Sequence, residues 1–407
     1  MARLSRLLAD ASVTAVVAGV VSTLISFAGP LVIVIQAAEA SGLDPAQTSS
    51  WVWSLALGSG VLCIALSLRL RIPVIIAWSI PGSALLVALL PELGLAQAVG
   101  AYLVAGAIVL ATGLSGVFDR IVSRIPGTLA AAVMAGILFS FGTATFAATD
   151  TEPLLVLSMF AAYLAGRRWW PPYAVLGVLL TGSALAIAGG GLDTRAIAFG
   201  WATPVWIAPE FTWRATLNLA LPLVIGALSG QYVTGLAALR AAGYAAPSRP
   251  LVVGSAAGSL LLAPFGCHGL NPAAVTAAMC LGPDAHPDPA RRYVAGVAAG
   301  AAYVVLGLLG VGVVSLFAAL PTQMAAALAG LALFGAIAAS VAGAMQVPRE
   351  REAALVGFLA TASGMSLLGL SAPFWGFALG AAAYALLGLR RDARMPAAVP
   401  GSARRAS

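Results

Sequence analysis

Two short segments combine Pro, Gly and polar side chains in the middle of apolar runs. One reads Trp78-Ser79-Ile80-Pro81-Gly82-Ser83 and the other Phe265-Gly266-Cys267-His268-Gly269-Leu270-Asn271-Pro272. In each, a polar residue stands beside a Pro and a run of good helix formers follows. Pro suits the first helical position, and Ser or Asn just before it caps free N–H groups. The pattern predicts an extended lead-in and a half-helix starting near Pro81 in one segment and near Pro272 in the other. A helix that starts inside a bilayer presents N–H groups that lipid cannot satisfy, together with about +0.5 of dipolar charge. Two such starts facing each other make a site for a carboxylate or a similar anion. The plainer alternative is that Pro and Gly only kink two ordinary helices.

Other polar groups cluster around this pattern. His268 is the one ionisable side chain placed well inside an apolar stretch. Its imidazole can carry a coupled proton, or it can stay neutral and fix the break through a backbone carbonyl. Gln231 and Tyr232, in Ser229-Gly230-Gln231-Tyr232, are polar residues at mid-helix that can bond substrate or a neighbouring helix. Phe27 adjoins a Gly29-Pro30 break, and Trp78 and Phe265 hold equivalent places before the two half-helices, where an aromatic acid would find ring contacts. All 14 carboxylates fall at the ends of apolar stretches or in loops. A site without a carboxylate suits a substrate that is itself an anion.

The elements that must position these residues follow from composition. Of 407 residues, 61% are hydrophobic and 9% charged, with 45 Gly and a mean hydropathy of +0.99. A soluble domain carries about 25% charged residues, and disorder needs low hydrophobicity. The chain reads as an all-α polytopic membrane protein. A crossing takes about 20 apolar residues. Stretches 11–38, 45–68, 72–91, 93–118, 125–149, 153–166, 169–192 and 215–239 are of single-span length, while 250–283, 293–348 and 353–389 each carry a mid-point break and split into two. The expectation is 14 spans, with 196–209 left as an interfacial loop anchored by Trp201 and Trp206.

All 21 basic residues are Arg, and the net charge is +7. With the N-terminus inside, 19 arginines fall on the cytoplasmic side and only Arg195 and Arg214 outside. Both termini are therefore expected in the cytoplasm of a bacterial inner membrane. Arginines spaced between apolar runs are topology signals and imply no nucleic-acid partner; the partner implied is the lipid bilayer. Because seven is odd, two sevens of spans run with opposite topology, which is an inverted repeat with broken third and tenth spans. Close spacings such as Gly296 to Gly300 permit tight helix contacts. The first apolar run is too long for a cleavable signal peptide. Cys63, Cys267 and Cys280 lack metal-site spacing, no nucleotide motif is present, and no metal or cofactor is implied. An intramembrane enzyme would need a nucleophile and base, and Cys267 and His268, adjacent in an extended segment, point apart.

Several stretches resemble the benzoate membrane transport protein family of benzoate/proton symporters. They are Ile72-Pro-Val-Ile-Ile-Ala-Trp78-Ser79-Ile-Pro81-Gly82, Gly230-Gln231-Tyr232-Val, Leu261-Leu-Ala-Pro264-Phe265-Gly266-Cys-His268, Gly282-Pro-Asp-Ala-His286-Pro-Asp-Pro-Ala-Arg291-Arg292, Glu350-Arg-Glu-Ala-Ala and Phe374-Trp375-Gly376. The likeness covers about 10–389. This chain departs from the family pattern at Cys267, where a second Gly is usual, and at Gly269-Leu270, where Ala-Ile is usual. The family is similar in architecture to uracil and other nucleobase transporters and, more distantly, to sulfate and bicarbonate carriers. The resemblance implies a core domain, 10–118 with 214–318, and a gate domain, 125–192 with 321–389. It implies a site between the third and tenth spans, with help from spans one and eight, formed by Phe27, Trp78, Ser79, Gly82, Ser83, Gln231, Tyr232, Phe265, Gly266, Cys267, His268, Gly269 and Asn271. Where nucleobase carriers place carboxylates, this chain has Gln231 and either Cys267 or His268. The expected activity is import of benzoate or a related aromatic carboxylate with protons, His268 being the candidate for coupling. A carrier of another organic or inorganic anion or of a nucleobase, and a non-transporting membrane protein, are the alternatives. The oligomeric state stays open, a homodimer among the options.

Overall fold

The computed structural model describes residues 7–122, 126–191 and 197–392. Arg3, Arg6, Arg124, Arg195, Arg394, Arg404 and Arg405, used above for topology, lie outside the described residues. The first apolar stretch forms α1 (Val13–Ala28) and α2 (Pro30–Ala40), broken at Gly29, with Pro30 opening the second piece. A capping box, Asp44 with Gln47, starts α3 (Pro45–Leu70). There follow a three-residue strand β1 (Ile76–Trp78), α4 (Ile80–Leu93), α5 (Leu95–Ser115), α6 (Gly127–Ala147), α7 (Pro153–Trp169) and α8 (Ala174–Ala188). The second half contains α9 (Trp213–Ala241), α10 (Ser248–Leu262), β2 (Leu270–Pro272), α11 (Ala278–Leu281), α12 (Tyr293–Leu308), α13 (Gly310–Ala318), α14 (Thr322–Ala344), α15 (Arg351–Ala362) and α16 (Ala372–Asp392). Among the described residues, seven helices are long and apolar enough to cross a membrane, or eight if α12 and α13, bent by 74°, count as one. The expected interfacial segment is irregular over 197–212 and lies along α13, where Ser315 bonds both the N–H and the C=O of Ala198.

Two sets of helix contacts dominate. In one, α3 and α1 lie against α12, and α5 against α10; in the other, α14 and α15 lie against α6, α7 against α8, and α15 against α16. The α3–α12 contact depends on missing side chains. A Cβ on Gly300 would stand 2.5 Å from the Gly60 carbonyl oxygen, and one on Gly296 would run into the Ser67 hydroxyl. Lipid offers no hydrophobic drive for helix association, so close van der Waals contact of this kind is what holds the pair.

The Arg-rich end is knitted by polar groups. Asp10 accepts from Tyr293 at 2.8 Å and from Arg71 at 3.1 Å, with Arg291 3.7 Å away, and the Arg71 guanidinium lies 4.2 Å over the Tyr293 ring. Arg292 does more than mark topology: its buried guanidinium donates to the carbonyls of Leu281, His286 and Pro287, folding 282–292 into a knot. His286 is half-buried there and accepts the Asp288 N–H. The Tyr293 hydroxyl, then the Arg71 and Arg291 charges, hold the Asp10 carboxyl below its ordinary 3.8 against an opposing desolvation effect. A depressed carboxyl adds stability that is present above its unfolded pKa and lost as pH falls through the folded value. Asp10→Asn is expected to lower the apparent Tm at pH 7, and the gap to the parent should close below about pH 4 in a detergent-solution melt.

Candidate functional site

The two breaks meet as a two-stranded antiparallel ladder, with Ile76 opposite Pro272, Ala77 opposite Asn271 and Trp78 opposite Leu270. Further bonds extend it, Ser79 N–H to Gly269 O at 3.0 Å and Ala273 N–H to Ile75 O at 2.9 Å. The outer edges of both strands need partners that lipid cannot supply. On β1 they come from α3: Cys63 Sγ accepts the Ile76 N–H and Ser67 Oγ accepts the Val74 N–H. On β2, Ser259 of α10 accepts the Leu270 N–H, and the Tyr232 hydroxyl donates to the Leu270 carbonyl. The helix preceding each strand thus does the same work in both halves, as an inverted repeat requires.

The first half-helix matches its sequence. Ser79 caps α4 by accepting the Gly82 N–H at 3.0 Å, with Pro81 in the first turn. The second does not. Pro272 sits in β2, the next residues form turns, and regular helix covers only Ala278–Leu281. Ser22 of α1 donates to the Thr276 carbonyl at 2.9 Å, the Cys280 N–H bonds Ala277 O, and Gly282-Pro283 stops the helix. The site therefore has one well-formed helix N-terminus, that of α4.

His268 joins the halves. Its Nε2 lies 3.0 Å from both Ser79 O and Ser83 Oγ, and its Nδ1 accepts the Trp51 indole N–H at 3.2 Å. An indole nitrogen only donates, so Nδ1 carries the lone pair and the proton belongs on Nε2, an assignment made from the hydrogen-bond pattern. Ser79, Tyr102, Tyr232, Ser259, His268 and Asn271 are the polar walls of a cavity of about 30 Å³, closed on the apolar side by Leu223 and Ala227, with Gly269 beside them. Among the described residues, no carboxylate lines it. Trp51 and Tyr102 were not foreseen from sequence. The Tyr102 hydroxyl, buried and without a protein partner, is the group most free to meet a ligand.

The remaining expected residues lie elsewhere. Gly82 and Ser83 are one layer behind, against His268. Trp78 and Phe27 stack edge-on at 5.2 Å and both meet Tyr303 in the interior. Phe265 is not the counterpart of Trp78: it ends a 3-10 turn and lies between Trp53 and Trp206, while Gly266 abuts Trp51 and Cys267 is wholly buried. Gln231 closes a π-helical segment, Gly226–Gln231, and its Oε1 is buried without a partner. A second π segment, Thr216–Ala220, precedes Pro222, which lacks the N–H that α-helical bonding needs there.

Two larger cavities separate the helix groups. One, about 630 Å³, opens toward the Arg-rich end between α9 (Gly226, Ser229, Thr234) and α6, α14 and Glu350. Glu350 accepts from Thr128 and Tyr384 in its wall. The other, about 300 Å³, lies at the opposite end between Ala84–Glu92 of α4, Gly136–Phe141 of α6 and the segment before α16.

A multi-pass helical bundle with paired strands at two matched breaks is the architecture of an inverted-repeat membrane transporter. Solved anion carriers share it: the transmembrane domain of a cyanobacterial bicarbonate transporter aligns with TM-score 0.60 at 17% identity over 93% of this chain and 98% of that one, and SLC26A9 with TM-score 0.60 at 14% identity over 92% of this chain and 66% of that one. The chain belongs to the benzoate membrane transport protein family, whose model matches residues 9–386. It is 45% identical to the benzoate membrane transport protein of Acinetobacter baylyi over 93% of this chain and 96% of that one. It is 41% identical to the inner membrane protein YdcO of Escherichia coli over 92% and 96%. The chain is accordingly a membrane transporter and not an enzyme.

Proposed function

We propose that this protein is a secondary active carrier that imports benzoate or a related aromatic carboxylate across a bacterial inner membrane together with protons. The observation that carries the reading is the carboxylate-free polar cavity beside the Ser79-capped start of α4, in a chain so close to a benzoate transport protein. The substrate carboxylate meets the α4 dipole and the Ser79, Tyr102 and Asn271 side chains, and the ring displaces Leu223 and Ala227. Pockets for small molecules begin at about 300 Å³, so a 30 Å³ cavity is a contracted site that substrate must widen. The π segments of α9 are the natural place for that give.

The Arg-rich end is assigned to the cytoplasm, with both termini there. The first helix group, with the ladder, is the core (10–118 and 214–318), and the second is the gate (125–192 and 321–389). In support of that division, the strongest helix contacts fall within each group, and the two larger cavities lie between the groups on opposite sides of the small one. Transport is movement of core against gate, exposing the site to one side and then the other. If His268 carries the coupled proton, taking up a second proton breaks its bond from Trp51, so coupling passes through release of that indole.

Uptake of labelled benzoate into proteoliposomes, with and without an inward proton gradient, tests the reading. Saturable uptake raised by the gradient supports it; no saturable uptake in folded preparations overturns it. Unlabelled aliphatic acids, nucleobases and inorganic anions as competitors set the substrate class, and cross-linking of the same preparation tests for a homodimer. Gly82→Ala probes the layer behind the cavity wall. A Cβ there would stand 2.8 Å from Leu223 Cδ2, 2.8 Å from Ser79 Oγ and 3.0 Å from His268 Cδ2. Folded yield should stay at the parent level while initial uptake falls about 10–100-fold, the scale set by small misplacements of binding groups.

A further inference from the structure

The 300 Å³ cavity has a roof that belongs to the gate and is fastened by the core. Its lining includes Gly364, Met365, Ser366 and Ser371, from the segment between α15 and α16. That segment ends in a tight turn in which Leu367 and Leu370 exchange both backbone hydrogen bonds. The two residues between them, Leu368 and Gly369, have φ of 54° and 73°. Two successive positive φ values are the signature of a type I′ turn, which favours Asn-Gly; a Leu in the first place is uncommon and costly. Something outside the turn must hold it.

The holding groups come from α9. Asn218, 2% exposed and within the π segment Thr216–Ala220, uses its whole amide on this turn. Its Nδ2 donates to Gly369 O at 3.0 Å, and its Oδ1 accepts the Ser371 N–H at 2.9 Å. Arg214 donates to the same Gly369 carbonyl at 3.2 Å and pairs with Glu92, at the rim of the cavity, at 3.1 Å. A buried Asn satisfied only by the backbone of a loop on the opposing body ties the two bodies together at that point.

We infer that Asn218 is the positioning residue of the outer closure, holding turn 367–371 of the gate against the core and so roofing the chamber through which the aromatic carboxylate reaches its site. The inference rests on the core-and-gate reading above. When the core moves to face outward, Gly369 and Ser371 must leave the Asn218 amide, and the chamber opens. With the fastening in place, the larger cavity at the cytoplasmic end is the open one.

The test follows the sidedness of single-cysteine reporters and uses no substrate, so it stands or falls apart from the uptake assay. Ala88→Cys reports from the outer chamber and Ala339→Cys from the inner cavity; both positions are exposed, whereas the three native thiols are buried. Sealed vesicles of each orientation carrying the full chain are treated with a membrane-impermeant maleimide. Asn218→Ala should label Ala88→Cys about fivefold faster or more and Ala339→Cys more slowly, the reciprocal change of a shifted two-state balance. Gly369→Ala, which disturbs the same contact from the gate side, should act in the same direction. If Asn218→Ala does not yield monodisperse protein, Gly369→Ala decides alone. Parent rates at both reporters, or faster labelling at both, overturn the inference, since a merely structural role loosens the protein without sidedness.

Discussion

His268→Gln is expected to abolish proton-driven accumulation of benzoate while leaving exchange of bound for free substrate within a few-fold of the parent. A Gln side chain can imitate the neutral ring: its oxygen accepts from Trp51 and its amide donates to Ser79 O, the bond that joins the breaks. What it cannot do is take up a proton. His268→Ala separates the other role. It strands the Trp51 indole in the interior, at about 1–3 kcal/mol for a group left unpaired, while the Ser83 hydroxyl keeps its bond to Ser79 O. Both uptake and exchange should then vanish, with a lower apparent Tm. Accumulation that survives in His268→Gln would reduce His268 to a pin and move coupling elsewhere.

Gly300→Val carries the largest expected effect on stability. Beyond the 2.5 Å approach to the Gly60 carbonyl, the added Cβ would stand 2.6 Å from Ile64 Cγ1 and 3.0 Å from the Ile64 backbone nitrogen. Backbone atoms on a helix cannot swing aside, so α3 and α12 must part. Overfilling of this kind costs about 1–3 kcal/mol or more, which for a chain of this length corresponds to a fall in apparent Tm of about 1–4 °C or more, or failure to accumulate. Gly335→Ala in α14, where a Cβ meets nothing within 4 Å, is the control and should melt with the parent. Equal melting of the two variants would remove the close contact as the source of core stability.

These residues also mark how far the sequence could be read. The start of α4 was legible because capping and Pro placement are local: Ser79 and Pro81 act within one turn. The second half-helix was misjudged because the same local pattern loses to a distant partner: Pro272 pairs with Ile76 and the Ala273 N–H goes to Ile75 O in the ladder. Treating Phe265 as the twin of Trp78 assumed the two breaks share a register. The turn Ala263–Phe265 shifts the second one outward, and Phe265 joins Trp206 instead. Trp51 and Tyr102 occupy unremarkable helix positions, and only folding brings them to an imidazole more than 150 residues away in sequence. The scarcity of charge was the better guide, for it led to the expectation of an interior without carboxylates before any geometry was known.

The ladder between β1 and β2 also bears on how the chain is made. Ser79 and the imidazole it meets are 189 residues apart. At about 5–20 residues per second, a ribosome needs roughly 10–40 s to deliver the second after the first. Throughout that interval the strand from the first half waits in the bilayer with one edge bare, a state that invites proteolysis or chaperone capture. The ladder therefore closes only late in synthesis, and a chain truncated before β2 is expected to keep that edge of β1 unpaired.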